Sequence, residues 1–85
     1  MDFKVKHLPQ QKRFEAYFDD KTAFVEYTLS NDIFDIIHTI VPKELEGQGI
    51  AGKIVKEAYS YAKERGYQWK GSCSYAHTWL KRHPM

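Results

Sequence analysis

The sequence predicts an α+β (mixed α/β) domain: an N-terminal antiparallel meander runs into a parallel strand–helix–strand crossover and ends in a short helix. Three observations predict it. Residues before Pro42 fall into apolar/polar alternations separated by short Asp- and Asn-containing turns. From Gly49 the apolar spacing changes to a helical one and stops at Gly66. A second strand-like run then follows, and a helix between two strands of one sheet makes them parallel in a right-handed crossover. The 85 residues form a single domain, 1–85, with no internal repeat or linker.

Each element has its own signal. Met1 to Leu8 sets Phe3 and Val5 against Lys4 and Lys6, a weak edge strand that Pro9 ends. Arg13 to Phe18 places Phe14, Ala16 and Phe18 on one face and Glu15 and Tyr17 on the other. Asp19-Asp20 is a turn, and Thr22 to Leu29 then sets Ala23, Val25, Tyr27 and Leu29 against Phe24, Glu26 and Thr28. Ser30-Asn31-Asp32 is a second turn, because Asn and Asp tolerate left-handed angles. Ile33 to Val41 is the most apolar strand and is expected at the centre. The helix is expected over about Gly49 to Arg65, with Ile50, Ile54, Val55, Ala58, Tyr59 and Tyr61/Ala62 as its apolar stripe and Gly66 as its C′ residue. Tyr67 to Cys73 is the parallel strand, and Tyr75 to Arg82 a short helix whose Tyr75 and Trp79 are expected in the core.

Composition narrows the function classes. Thirteen basic residues against eleven acidic give a net charge of +2 with no basic block, so no nucleic-acid partner is expected. No run is long or apolar enough for a membrane span, and the N-terminus has no signal-peptide core, so a cytoplasmic protein with no membrane partner is expected. The single cysteine fits a reducing compartment. His7, His77 and His83 lack metal-ligand spacing to any Cys or Asp, so no metal site is expected.

The chemistry centres on HTIVPKELEGQGIAG, from His38 to Gly52. A strand feeding a glycine turn that opens a helix is suited to phosphate: glycines let the backbone approach, and first-turn N–H groups point at the anion. The helix start lacks a Ser, Thr or Asp cap, and a bound anion satisfies the same N–H groups. Gly47 and Gly49 also read simply as a strand-to-helix turn. Ligands of such units bind outside the carboxyl ends of the parallel strands, where His38 and Cys73 are expected. Histidine transfers protons at neutral pH, and a cysteine next to a helix N-terminus is an activated nucleophile. Each also has a plainer reading: Cys73 as a buried small hydrophobe, and His38 as a core histidine sharing the alternation of Phe34, Ile36 and Ile40.

HTIVPKELEGQGIAGKIV, followed by YAKERGYQWKGSCSY and a final LKRHP, resembles the compact branch of the GNAT N-acetyltransferase superfamily. The resemblance implies a minimal GNAT-like fold and acetyl-CoA (coenzyme A) as cofactor. Its Gln/Arg-x-x-Gly-x-Gly/Ala signature falls on Glu46, Gly49 and Ala51. It implies His38 and Cys73 as the catalytic pair, and cofactor contacts from Thr39, Val41, Glu46, Gly47, Gln48, Gly49, Ile50, Ala51 and Gly52. Glu46 departs from the signature, and a carboxylate beside a pyrophosphate costs ~1 kcal/mol or more near a protein surface. Lys43 or Lys53 would offset it; Lys53, Lys81 and Arg82 read first as solvated side chains, with a contact of one of them to the cofactor's 3′-phosphate as the alternative.

Two functions follow as expectations. One is an N-acetyltransferase acting on an amine, with His38 as general base and Cys73 as nucleophile or general acid. The other is a non-catalytic CoA-binding module. The chain is too short for the acceptor-pocket elements of full-sized relatives, so the acceptor is a small molecule or protein met by a monomer or homodimer.

Overall fold

Alternating apolar residues set the sheet. In the computed structural model, which describes residues 3–84, β1 (Lys6–Leu8), β2 (Arg13–Phe18), β3 (Lys21–Ser30) and β4 (Ile33–Ile40) pair antiparallel in sequence order. β5 (Gln68–Gly71) adds to β4 in parallel. A 3-10 turn (Lys43–Leu45) and α1 (Ile50–Glu64) make the crossover, and α2 (Ser74–Arg82) follows β5. The architecture is the expected α+β one, with shorter outer strands. Met1 and Asp2 of the first expected strand lie outside the described residues; Phe3 and Val5 precede β1 and pack against the core.

Turn chemistry works as the sequence implies. Asn31 and Asp32 both adopt positive φ (53° and 62°), and Asp19 does so at 54°, which matches the right-handed twist of hairpin strands. α1 ends in a Schellman motif: Tyr67 N–H donates to Ala62 C=O (3.0 Å) and Gly66 N–H to Lys63 C=O (3.1 Å), with Gly66 at φ 76°.

Both helices lie on one face. Phe14, Ala16, Ala23, Val25, Tyr27, Phe34 and Ile36 from the sheet meet Ile50, Ile54, Val55, Ala58, Tyr59 and Ala62 of α1, all buried. α2 joins the same side, since Gly71 pairs with inward-facing Ile36 and lies against Ala76. Among the described elements none covers the opposite face, where Tyr17 and Ile40 remain 51% and 47% exposed. No helix among the described residues is long and apolar enough to cross a membrane.

Three details differ from the alternation. The β3–β4 ladder pairs Tyr27 with Ile36 and Glu26 with His38, so Ile37 is an extra residue, a β-bulge. The bulge reverses the phase: His38 leaves the face of Phe34 and Ile36 for that of Glu26, and Thr39, paired with inward-facing Val25, takes the helix side. Strand β5 ends at Gly71 and not at Cys73, which instead N-caps α2. Tyr75, expected in the core, is 41% exposed, because Ala76 is the residue of that first turn that meets the sheet.

Candidate functional site

The site forms where β4 and β5 part. Their pairing stops at Ile36 and Gly71, and the last bonds run from the N–H groups of Ser72 and Cys73 to the Ile36 carbonyl, both at 3.1 Å. Beyond that point no described strand pairs with β4 on this edge. A cleft of about 390 Å³ occupies the opening. Its walls are the end of β4 (Thr39, Val41), the loop (Leu45, Glu46, Gly47, Gly49), the first turn of α1 (Ile50, Ala51) and Tyr75 of α2. Seven of the nine residues expected at the cofactor therefore line one cleft. Gly52 lines the neighbouring groove instead, and Gln48 lines neither.

The floor of the cleft is a glycine turn that opens a helix. Gly49 N-caps α1 at φ 78° and Gly47 sits at φ 82°, angles that residues with a Cβ rarely adopt. A Cβ at either position would meet nothing within 4 Å, so the two glycines serve backbone shape and leave open space above it. No side chain caps α1, and its first intrahelical bond is Lys53 N–H to Gly49 C=O (3.2 Å). The N–H groups of Ile50, Ala51 and Gly52 precede that bond and stand free of helical partners.

Cys73 is half-buried behind Thr39 at the parting of the strands, packed against the core, and lines neither the cleft nor the neighbouring groove. Its Sγ lies 3.5 Å from Thr39 Oγ1. Burial pushes the thiol up. Hydrogen bonds from the Thr39 hydroxyl, the Ala76 and Tyr75 N–H groups at the start of α2 and the Thr39 backbone outweigh it, so the thiol lies below its ordinary value. His38 is exposed on the other face of the strand, across from Glu26. Thr39, not His38, is thus the β4 residue that touches the sulfur; the two candidate catalytic side chains belong to opposite faces of the opening.

A second, larger groove of about 850 Å³ continues from the cleft between α1 and α2. Lys53, Lys56, Lys63 and Arg82 line it with Trp79 and only one acidic residue, Glu57. Lys53 also donates to the Phe3 carbonyl (2.9 Å), so it pins the N-terminal segment to α1 as well as facing the groove. Tyr75 borders both spaces, and its hydroxyl lies 3.4 Å from where a Gly52 Cβ would be. Burial raises the phenol's pKa, partly offset by Arg82. The sequence signal that could have marked Tyr75 was its place two residues after Cys73, in the first turn of the helix that the cysteine caps.

A profile of the GCN5-related N-acetyltransferases matches residues 13–85. The chain belongs to this family. It is 26% identical to mouse (Mus musculus) Protein NATD1 over 85 residues, covering 96% of this chain and 77% of that protein. The solution NMR structure of a GCN5-like protein from Staphylococcus aureus superposes with a TM-score of 0.74 at 29% identity, covering 93% of this chain and 78% of the other. Members of the GCN5-related family use acetyl-CoA and an acceptor. The site fits such a cosubstrate on its own geometry: an uncapped helix start with two left-handed glycines suits a pyrophosphate, the end of β4 beyond its ladder with β5 suits an extended arm, and the basic groove suits a phosphorylated group.

Proposed function

We propose that this chain moves an acetyl group from acetyl-CoA to an amine, in the cytoplasm, with His38 and Cys73 as its chemical residues. The observation that carries the reading is the parting of β4 and β5 beside an uncapped α1, with a cysteine at the facing helix start. Backbone groups of Thr39 and Val41 would hold the pantetheine amides, and those of Gly47 to Gly52 the pyrophosphate. Lys56, Lys63 and Arg82 would take the nucleotide phosphate in the groove, and Tyr75 would lie over the bend between the two spaces. When bound, acetyl-CoA supplies an acyl group activated as a thioester.

The acceptor amine would enter from the uncovered face of the sheet. There His38, paired across the ladder with Glu26, takes a proton from the ammonium or from the attacking nitrogen. Cys73 works from the other side. As a thiolate it attacks the acetyl carbonyl and expels the CoA thiolate, forming acetyl-Cys73 for the amine to attack; as a thiol it protonates the departing CoA sulfur. The lowered thiol favours the first role, because it raises the thiolate fraction.

The test is incubation with acetyl-CoA, a rapid quench and intact-mass analysis with peptide mapping. Acetyl-Cys73 forming faster than turnover, and Cys73→Ala abolishing transfer to amines, is the expected result. Activity surviving in Cys73→Ala with no adduct in the parent would remove the covalent role. Binding of CoA by titration calorimetry without transfer to any screened amine would instead support a CoA-binding module, the reading that Glu46 in the cleft wall favours.

A further inference from the structure

We propose that Asp35 is a positioning residue for Cys73: through Ser72 it fixes the point at which β5 leaves β4, and so holds the thiol against Thr39. Its functional meaning rests on the reading of Cys73 as a reacting group.

Asp35 lies on the uncovered face of β4, in register with Thr28 on one side and Lys70 on the other. Both of its oxygens are spent on one residue. Oδ1 accepts the Ser72 N–H at 2.8 Å and Oδ2 accepts the Ser72 hydroxyl at 2.6 Å. The same Ser72 N–H is shared with the Ile36 carbonyl, which also accepts from Cys73 N–H, each at 3.1 Å. A regular parallel ladder brings one N–H to each carbonyl. Two consecutive N–H groups converge here because the chain is turning out of the sheet, and the carboxylate grips the turn from outside.

The inner side of the turn is held as firmly. Gly71 lies against the backbone of Ala76 and His77, and the Cys73 carbonyl accepts the His77 N–H at 2.9 Å to begin α2. Tyr59 of α1 donates to the Lys70 carbonyl at 2.7 Å, one residue before Gly71. Ser72 and Cys73 are adjacent, with the clamp on one face and the thiol on the other. A displacement of Ser72 therefore reaches Cys73 almost undiminished. The sulfur reaches Thr39 at 3.5 Å, long enough that a further few tenths of an ångström weakens the bond.

A carboxylate has a second, opposite way to act on a nearby thiol. Its charge disfavours the thiolate, whereas its grip on Ser72 favours it by keeping the hydrogen bonds from Thr39 and the start of α2 in place. The other titratable groups around the turn are Lys70 of β5, in register with Asp35, Tyr59 of α1, whose phenol is raised mainly by burial and further by both Asp35 and Cys73, and Tyr75 and His77 in the first turn of α2. The two actions of Asp35 separate by sign. Asp35→Asn removes the charge and keeps an acceptor for the Ser72 N–H and an amide beside its hydroxyl. Asp35→Ala removes charge and grip together. Ser72→Ala removes half the grip and leaves the charge.

The experiment is the pH dependence of Cys73 alkylation by iodoacetamide in the parent and the three variants, with thermal melts to establish that each is folded. Positioning predicts that Asp35→Ala alkylates at least about threefold more slowly near neutral pH, a midpoint about half a pH unit higher. It also predicts that Ser72→Ala moves the same way by less, and that Asp35→Asn stays at or below the parent midpoint. Asp35→Ala and Asp35→Asn both lowering the midpoint, or neither moving it, overturns the proposal and leaves Asp35 as a bystander charge. An absent acetyl-Cys73 adduct in the parent would count against the proposed reaction alone, because the alkylation profile is read without acetyl-CoA.

Discussion

At the scale of single residues, position relative to the sheet decides what a side chain can do. His7 illustrates the cost of placing a histidine among aromatics. It stacks on Phe14 with ring centroids 4.0 Å apart, meets the edge of Tyr61, and shares a 2.6 Å hydrogen bond with the Tyr27 hydroxyl. Burial, helped by the charge of Arg65, holds its pKa below the ordinary 6.5. The unfolded chain then binds a proton near pH 6.5 while the native one resists, so stability is fully present above that value and falls as pH drops through it. Urea midpoints at about pH 7.5 and about pH 5.5 should show that fall, and His7→Gln should flatten it. Glu46 is the second residue-scale case. It lines the cleft and is exposed beside the glycine turn, where the family signature carries Gln or Arg. Glu46→Gln should tighten acetyl-CoA by about fivefold, the equivalent of about 1 kcal/mol of removed repulsion. An unchanged dissociation constant by calorimetry would mean that the carboxylate turns away from the phosphates.

At the scale of elements, the site depends on how β5 hands over to α2. Gly71 is the joint. A Cβ there would stand 2.8 Å from the Ala76 Cβ and the His77 nitrogen and 2.9 Å from the Ala76 carbonyl carbon. Two of those atoms are backbone, so relief requires α2 to move as a unit. Gly71→Ala should cost about 1–3 kcal/mol, the usual range for overpacking. For a domain of this size that lowers Tm by several degrees, at roughly 4–8 °C for each kcal/mol. Because α2 carries the N–H groups that favour the Cys73 thiolate, the same variant should also slow alkylation of Cys73. A melt within about 1 °C of the parent would show that the helix accommodates the methyl group without strain. The β4 bulge is the matching device on the other strand. One inserted residue, Ile37, turns a run of alternating side chains into a strand that shows Thr39 to the cleft and His38 to the open face.

At the scale of the whole molecule, a two-layer arrangement leaves one sheet face uncovered by any described element and places the open end of the sheet next to both helix starts. The domain is small, so ligand binding should register strongly in its stability. Acetyl-CoA at about 100 times its dissociation constant should add about 2.7 kcal/mol, raising Tm by on the order of 10 °C. The gain should shrink at high salt, since Lys53, Lys56, Lys63 and Arg82 in the groove are open to solvent screening. A melting curve that ignores acetyl-CoA at every concentration would argue against the cleft as its site.

Much of this molecule was legible in local sequence. The strand runs, the Asn31-Asp32 turn, the apolar stripe of α1 and the stop at Gly66 all follow from interactions within a few residues, and those are what periodicity and turn chemistry report. The glycine turn was legible for the same reason, whereas the seven lining residues of the cleft were named through the family resemblance of the stretch from His38 to Gly52. The relation of His38 to Cys73 was not. It depends on the bulge at Ile37, which arises only when β4 pairs with β3, and on β5 stopping at Gly71, which arises only when α2 packs on that glycine. The local sequence could determine which residues reach the opening between β4 and β5. Only tertiary pairing could decide which face each one shows, because a one-residue shift in a ladder exchanges the two sides of a strand.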